Sequence, residues 1–311
     1  MTDLVRWRTS PVALYRLAVA SVVSNVVIVV TGGAVRLTNS GLGCPTWPRC
    51  NGDSLTPQPR NAANGIIEFT NRSLTFVLVV VAVATLVAAL SQHRATRLAV
   101  LAFLAIPAQA VLGGITVLTD LNPWAVACHF LLSMVILAIT LRLVHAVDNR
   151  TLPEPAGDPV RWLAGLIAVV TFVVLMVGTV VTGSGPHAGD LKSGRIRRTG
   201  LDPGAVAHLH ADIVMVLIGL TVGLIFLLRA IGSRGALARA ASILLGMELV
   251  QGVIGFVQYF SHLPVLAVGL HMLGACLVWL AAVELTIRSI GRPYPGMISE
   301  SPSDAVSYRQ G

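Results

Sequence analysis

Long apolar runs alternate with short polar segments along the whole chain. Runs of about 20 residues fall near 12–34, 66–90, 97–119, 124–146, 161–183, 205–229, 237–259 and 265–287. A helix rises about 1.5 Å per residue, so each run is long enough to cross a hydrocarbon layer of about 30 Å. The pattern predicts an all-α integral membrane protein with eight transmembrane helices.

The runs repeat. Residues 109–132 (QAVLGGITVLTDLNPWAVACHFLL) are matched by 251–274 (QGVIGFVQYFSHLPVLAVGLHMLG). Gln109 precedes His129 by the same 20 residues that separate Gln251 from His271, and Gly113 and Gly255 follow the glutamines at one spacing. Self-similarity of this kind marks two copies of one unit. Four helices per copy is an even number, so the halves share one orientation. They form two four-helix bundles related by a pseudo-twofold axis along the membrane normal. The expected division is 1–146, a cytoplasmic linker at 147–160, 161–290, and a disordered cytoplasmic tail at 291–311. Thr31-Gly32-Gly33 is echoed by Thr182-Gly183-Ser184. The opening of helix 2, Glu68-Phe69-Thr70-Asn71-Arg72, aligns with Ala207-His208-Leu209-His210-Ala211 and pairs Asn71 with His210.

Composition supports the membrane assignment. Only 12% of residues are charged and mean hydropathy is +0.78, against about 25% charged in soluble domains. The net charge of +8 does not indicate nucleic-acid binding, because the basic residues lie between apolar runs. Fourteen of the 22 Lys and Arg fall on the face holding both termini and eight on the other. The positive-inside rule makes the first face cytoplasmic. The basic start MTDLVRWRTS, followed by a full-length span, is not expected to be a cleaved signal.

His129, His210 and His271 each lie five or six residues inside the outer end of a predicted span. They sit at one depth, and an ionisable residue there points to function. Neutral imidazole ligates haem iron; single interhelix hydrogen bonds are the plainer alternative. His210 and His271 together can supply two axial ligands, whereas the first half offers His129 opposite Asn71, a poor ligand that leaves a coordination position for chemistry. Zinc is disfavoured for want of clustered ligands. His208, two residues from His210, faces elsewhere on its helix. Glu68, three residues before Asn71, shares its face. It reads as a proton acceptor beside that site or as a charge favoured at a helix N-terminus. Arg72 reads as a partner for a haem propionate or as an interfacial arginine. Glu248 has no counterpart in the first half, where Ile106 stands, and receives no role. Cys44 and Cys50, six residues apart in an outer loop, are expected to form a disulfide; the second reading is a thiol pair that exchanges with a redox partner. Cys128 and Cys276 are expected to be small packing residues.

Taken together, the eight spans, the repeated halves, TGGAVRLTNSGLGCPTWPRCNG, EFTNR and the paired Gln-to-His units resemble the heme A synthase family, CtaA type, over roughly 12–287. The resemblance implies oxidation of the C8 methyl of heme O to a formyl group, giving heme A for terminal oxidases. It implies a substrate haem in the first half, near His129, Asn71 and Arg72, and a b-type haem in the second, on His210 and His271. Glu68 matches the family's important carboxylate, and Cys44 with Cys50 its outer-loop pair. Implied partners are heme O synthase, an electron donor or quinone, the bilayer, and a second copy of the chain. The implied location is the cell membrane, or the mitochondrial inner membrane in a eukaryote. The sequence departs from the family pattern at Asn71, where a histidine is usual, and at Ala211, where an arginine is usual. It also lacks a second cysteine pair in 184–204. Rival classes are a di-haem b-type electron-transfer protein, a repeat-built transporter and a non-catalytic assembly subunit.

Overall fold

The structure is a computed structural model describing residues 9–52, 54–57, 62–148, 155–187, 189, 197–233 and 235–291. Its elements are α1 (Pro11–Leu37), α2 (Ala62–Gln92), α3 (Thr96–Leu118), α4 (Pro123–Val147), α5 (Asp158–Ser184), α6 (Pro203–Ala230), α7 (Ala236–Phe260) and α8 (Val265–Ile290). All eight are long and apolar enough to cross a membrane. Each predicted span falls within one helix, save for a single residue at the end of the third, and the helices run a few residues further at most ends. Residues 149–154 of the expected linker and 292–311 of the expected tail lie outside the described residues.

Polar cap and proline pairs set several helix starts. The Ser10 hydroxyl accepts from Ala13 N–H before Pro11, the Asn122 side chain from Trp124 N–H before Pro123, and Asp202 from Ala205 N–H before Pro203. Each cap satisfies a backbone donor that the first turn cannot, and proline there loses nothing because its position needs no donor.

In each half the helices close into a ring, with α1 against α2 and α4 and α3 against α2 and α4; α5 to α8 repeat the arrangement. The halves meet through α1–α8, α4–α5 and α4–α8. Exchanging α1 with α5 and α4 with α8 maps this seam onto itself, as a twofold axis requires. The second half encloses Ile167, Leu217, Leu224, Leu244 and Leu285; the seam encloses Met134, Leu137, Leu175, Cys276 and Trp279. Lipid offers little hydrophobic drive between helices, so close packing and hydrogen bonds must join them. Accordingly, Trp279 Nε1 donates to the Met134 carbonyl at 2.7 Å, and Arg36 donates to the carbonyls of His187 at 2.7 Å and Thr182 at 3.1 Å. At the opposite end, Glu284 of α8 pairs with His145 of α4 and with Arg288. Large apolar side chains such as Phe76, Phe226 and Leu266 point outward. Cys128 is exposed there too, which corrects its expected place in the packing; Cys276 is buried as expected.

Candidate functional site

His129, His210 and His271 are the seventh, eighth and seventh residues of α4, α6 and α8, about 9–10 Å along each axis from its first residue. In the second half the His210 and His271 ring centres are 6.5 Å apart, with planes at 64°. The Nδ1 atoms of all three histidines are buried without a hydrogen-bond partner.

Each ring rests on a glycine of the preceding helix. A Cβ on Gly178 of α5 would lie 3.2 Å from His210 Cε1, one on Gly255 of α7 3.4 Å from His271 Cε1, and one on Gly113 of α3 3.0 Å from His129 Cε1. Asn71 completes the set, its Nδ2 lying 3.8 Å from the corresponding point on Gly32 of α1. The alignment of Asn71 with His210 therefore corresponds to an equivalent place in the fold. The glycine serving His210 is Gly178, not Gly183 of the Thr-Gly-Ser echo; Gly183 instead lies close to Pro123 and Thr199. The echo of Thr31-Gly32-Gly33 in Thr182-Gly183-Ser184 points to Gly183 and away from Gly178.

The repeated glutamines act as clamps. Gln109 Nε2 donates to the His129 carbonyl, and Gln251 Nε2 to the His271 carbonyl, at 2.7 Å in both halves. Gln109 also donates to Ser133 Oγ at 2.6 Å. These bonds cross from the odd helix to the even helix and fix the histidine backbone. Thr31 Oγ1 donates to Asn71 Oδ1 at 2.7 Å, tying the one amide among the four positions to α1.

The loop between α1 and α2 covers one end of the first half. Cys44 and Cys50 form the expected disulfide. Buried Glu68 accepts from Cys44 N–H at 2.8 Å through Oε2. Its Oε1 pairs with Arg72, whose guanidinium also donates to the carbonyls of Cys44 at 2.8 Å and Thr46 at 3.0 Å. Trp47 from the same loop packs on Gly114, beside the glycine under His129; a Cβ there would come within 2.5 Å of the indole. Arg72 thus works as a brace between carboxylate and loop, a role its sequence position did not reveal. His208 is exposed, and His187 Nε2 bonds the Leu263 carbonyl at 2.9 Å, joining the segment after α5 to the α7–α8 loop.

A family model described as COX15-CtaA, cytochrome oxidase assembly protein, matches residues 15–283. The chain belongs to this family. Among relatives, a Heme A synthase of Lysinibacillus sphaericus is 32% identical over 174 residues, 53% of this chain and 56% of that protein. A Heme A synthase of Bacillus licheniformis is 30% identical over 180 residues, 54% of this chain and 58% of that protein. A Protoheme IX farnesyltransferase of Thermus thermophilus is 28% identical over 293 residues, 86% of this chain and 47% of that protein. The chain spans about half the length of the curated relatives it matches. In this COX15-CtaA protein the two halves share one framework of glycines and clamps but differ in what the framework presents: two histidines in the second half, one histidine and an amide in the first.

Proposed function

We propose that the chain is a heme A synthase, an oxidoreductase that converts the C8 methyl of heme O to a formyl group. The observation that carries the reading is the unequal pair of sites on one repeated framework. Metal–imidazole bonds of about 2 Å, with roughly 1 Å more from nitrogen to ring centre, set two axial imidazoles about 6 Å apart. The 6.5 Å between His210 and His271 fits an iron held between them. The buried Nδ1 atoms turned to the glycine side are consistent with Nε2 as the ligand atom. His210 and His271 would hold a b-type haem in the second half, and that haem would supply one-electron transfer.

The first half receives heme O. His129 supplies one ligand, Asn71 stands where a second histidine would be, and the disulfide loop with Trp47 shields the outer end from water. Glu68 is the catalytic carboxylate: fixed by Arg72 and the Cys44 amide, it holds negative charge near the reacting methyl and steers protons. The methyl would pass through alcohol and geminal diol, each stage taking one oxygen atom from water and giving two electrons to an external acceptor of the quinone class and two protons to Glu68 and solvent, and the diol would lose water to leave the formyl group. The product serves terminal oxidases. Heme O synthase is the natural supplier, a reading supported by the relative named for protoheme IX farnesyltransferase, which aligns along most of this chain. The protein sits in the cell membrane with both termini cytoplasmic.

The test is extraction and identification of haems from the purified full chain, made in a host that supplies heme O, together with its reduced and oxidised spectra. Heme B accompanied by heme O or heme A is the expected result. Heme B alone, low-spin at two haems per chain, overturns the synthase reading in favour of a di-haem electron-transfer protein. Absence of haem overturns the ligand assignment itself.

A further inference from the structure

Glu248 is the buried carboxyl that the proposed reaction leaves unused. It lies midway along α7 and is 3% exposed. Oε1 accepts from Thr221 Oγ1 of α6 at 2.9 Å, while Oε2 is buried with no hydrogen-bond partner. The described ion pairs do not include it. An unpaired carboxylate in hydrocarbon is costly, and one hydroxyl does not offset a full charge.

Its register is informative. Glu248, Gln251 and Gly255 follow at i, i+3 and i+7, so they form one stripe of α7. Gly255 lies under the His271 ring and Gln251 clamps the His271 carbonyl. Glu248 is the next polar position on that stripe, about 10 Å along the axis from Gly255. The first half lacks the pair. Counting from the matched glutamines places Ile106 at the Glu248 position, and counting from Asn71 and His210 places Ala82 at the Thr221 position. Ile106 and Ala82 pack together with Leu78 in one apolar cluster. The four-helix framework therefore closes without a carboxyl, and the half that carries one is the half with two histidines.

We propose that Glu248 is the proton acceptor of the second-half site, binding a proton when that site gains an electron. The proposal rests on the reading above, that His210 and His271 hold a haem. One electron passes to the iron from a one-electron donor, a reduced quinone or mediator. One proton passes from water to Glu248 Oε2, and both leave on reoxidation.

The other ionisable groups on the helices packed against α7 are accounted for. On α6, His208, Asp212 and Arg229 are exposed and His210 is the proposed ligand. On α8, His271 is the other ligand, Cys276 is buried in the seam, and Glu284 is paired with Arg288 and His145. None hydrogen-bonds Glu248.

The test is spectroelectrochemical titration of the haem-loaded full chain between about pH 6 and pH 9, for wild type, Glu248→Gln and Thr221→Val. In the wild type the midpoint falls as pH rises, with up to a tenfold change in the ferrous-to-ferric ratio per pH unit, equal to 59 mV for one electron. Glu248→Gln keeps the bis-imidazole spectrum and loses this slope. Thr221→Val keeps the slope but moves its pH window, because Oε1 loses its donor. Equal slopes in wild type and Glu248→Gln overturn the proposal, as does an unmoved window in Thr221→Val should the glutamine variant fail to fold. A wild type without a low-spin spectrum sensitive to His210→Ala and His271→Ala instead overturns the haem assignment, and so separates the two failures.

Discussion

The backbone N–H of Cys44 donates to Oε2 of Glu68 at 2.8 Å, so the first residue of the disulfide is bonded to the buried carboxylate of α2. Arg72 closes the arrangement by pairing with the other carboxylate oxygen and binding two loop carbonyls. Loop, carboxylate and first-half site are one mechanical unit.

Replacing both Cys44 and Cys50 by Ser is expected to free the loop and let Trp47 leave Gly114. Closing so short a loop is worth about 2 kcal/mol in chain entropy. A lower thermal midpoint in detergent and faster cleavage within 41–57 check this; identical melting would show that Glu68 and Arg72 hold the loop unaided.

Glu68→Gln keeps an acceptor for the Cys44 amide but removes the charge facing Arg72. Heme A formation should fall by about 100-fold or more, the scale of a lost acid–base group, while extracted haem content persists. Product analysis from cells supplied with heme O measures it, and a normal yield would remove Glu68 from the chemistry.

The glycines under the rings predict an order. An added Cβ would meet His129 at 3.0 Å, His210 at 3.2 Å and His271 at 3.4 Å. Gly113→Ala should therefore disturb its ring most and Gly255→Ala least. Overpacking of this kind costs about 1–3 kcal/mol. Absorption and electron paramagnetic resonance spectra of the three haem-loaded variants give the ranking; a reversed order would mean the backbone yields more readily than the ring.

Gly274 of α8 makes room for the Gln251 amide, whose Oε1 occupies the space a side chain would need. Gly274→Ala should displace Gln251 from the His271 carbonyl, and the double variant Gly274→Ala, Gln251→Ala should regain part of the lost stability. A thermodynamic cycle over the four proteins tests the coupling, and strictly additive losses would discard it.

Glu284 joins α4 to α8, whereas Asp158 pairs with Arg161 at the surface with 74% of its side chain exposed. Glu284→Ala should cost about 1.5–3 kcal/mol, the range for hydrogen bonds to charged groups. Asp158→Ala should cost less than about 1 kcal/mol. Thermal denaturation of both variants makes the comparison; equal effects would show that the seam does not depend on this link.

Several features were legible before any coordinates. Eight spans follow from run length, since only a helix satisfies its own backbone across a bilayer. The repeated 20-residue spacing turned out to be the same 2.7 Å bond in both halves, because equal spacing across similar helix hairpins places equal atoms together. The Cys44–Cys50 pairing was legible from local spacing alone.

Other features were not. A span that is apolar on every side does not disclose which side meets protein and which meets lipid, so Cys128 was misplaced and Gly178 went unnoticed. Arg72 gripping the loop, Trp47 on Gly114 and Thr221 donating to Glu248 join residues with no shared pattern. Sequence by itself determined the helices, the repeat and the place of each histidine along its helix, because length and periodic spacing are properties of one segment at a time. Only the tertiary structure decided which helices adjoin, which glycine lies under each ring and which oxygen of a buried carboxyl has no partner, because those depend on how helices of nearly uniform hydrophobicity choose their neighbours through close packing.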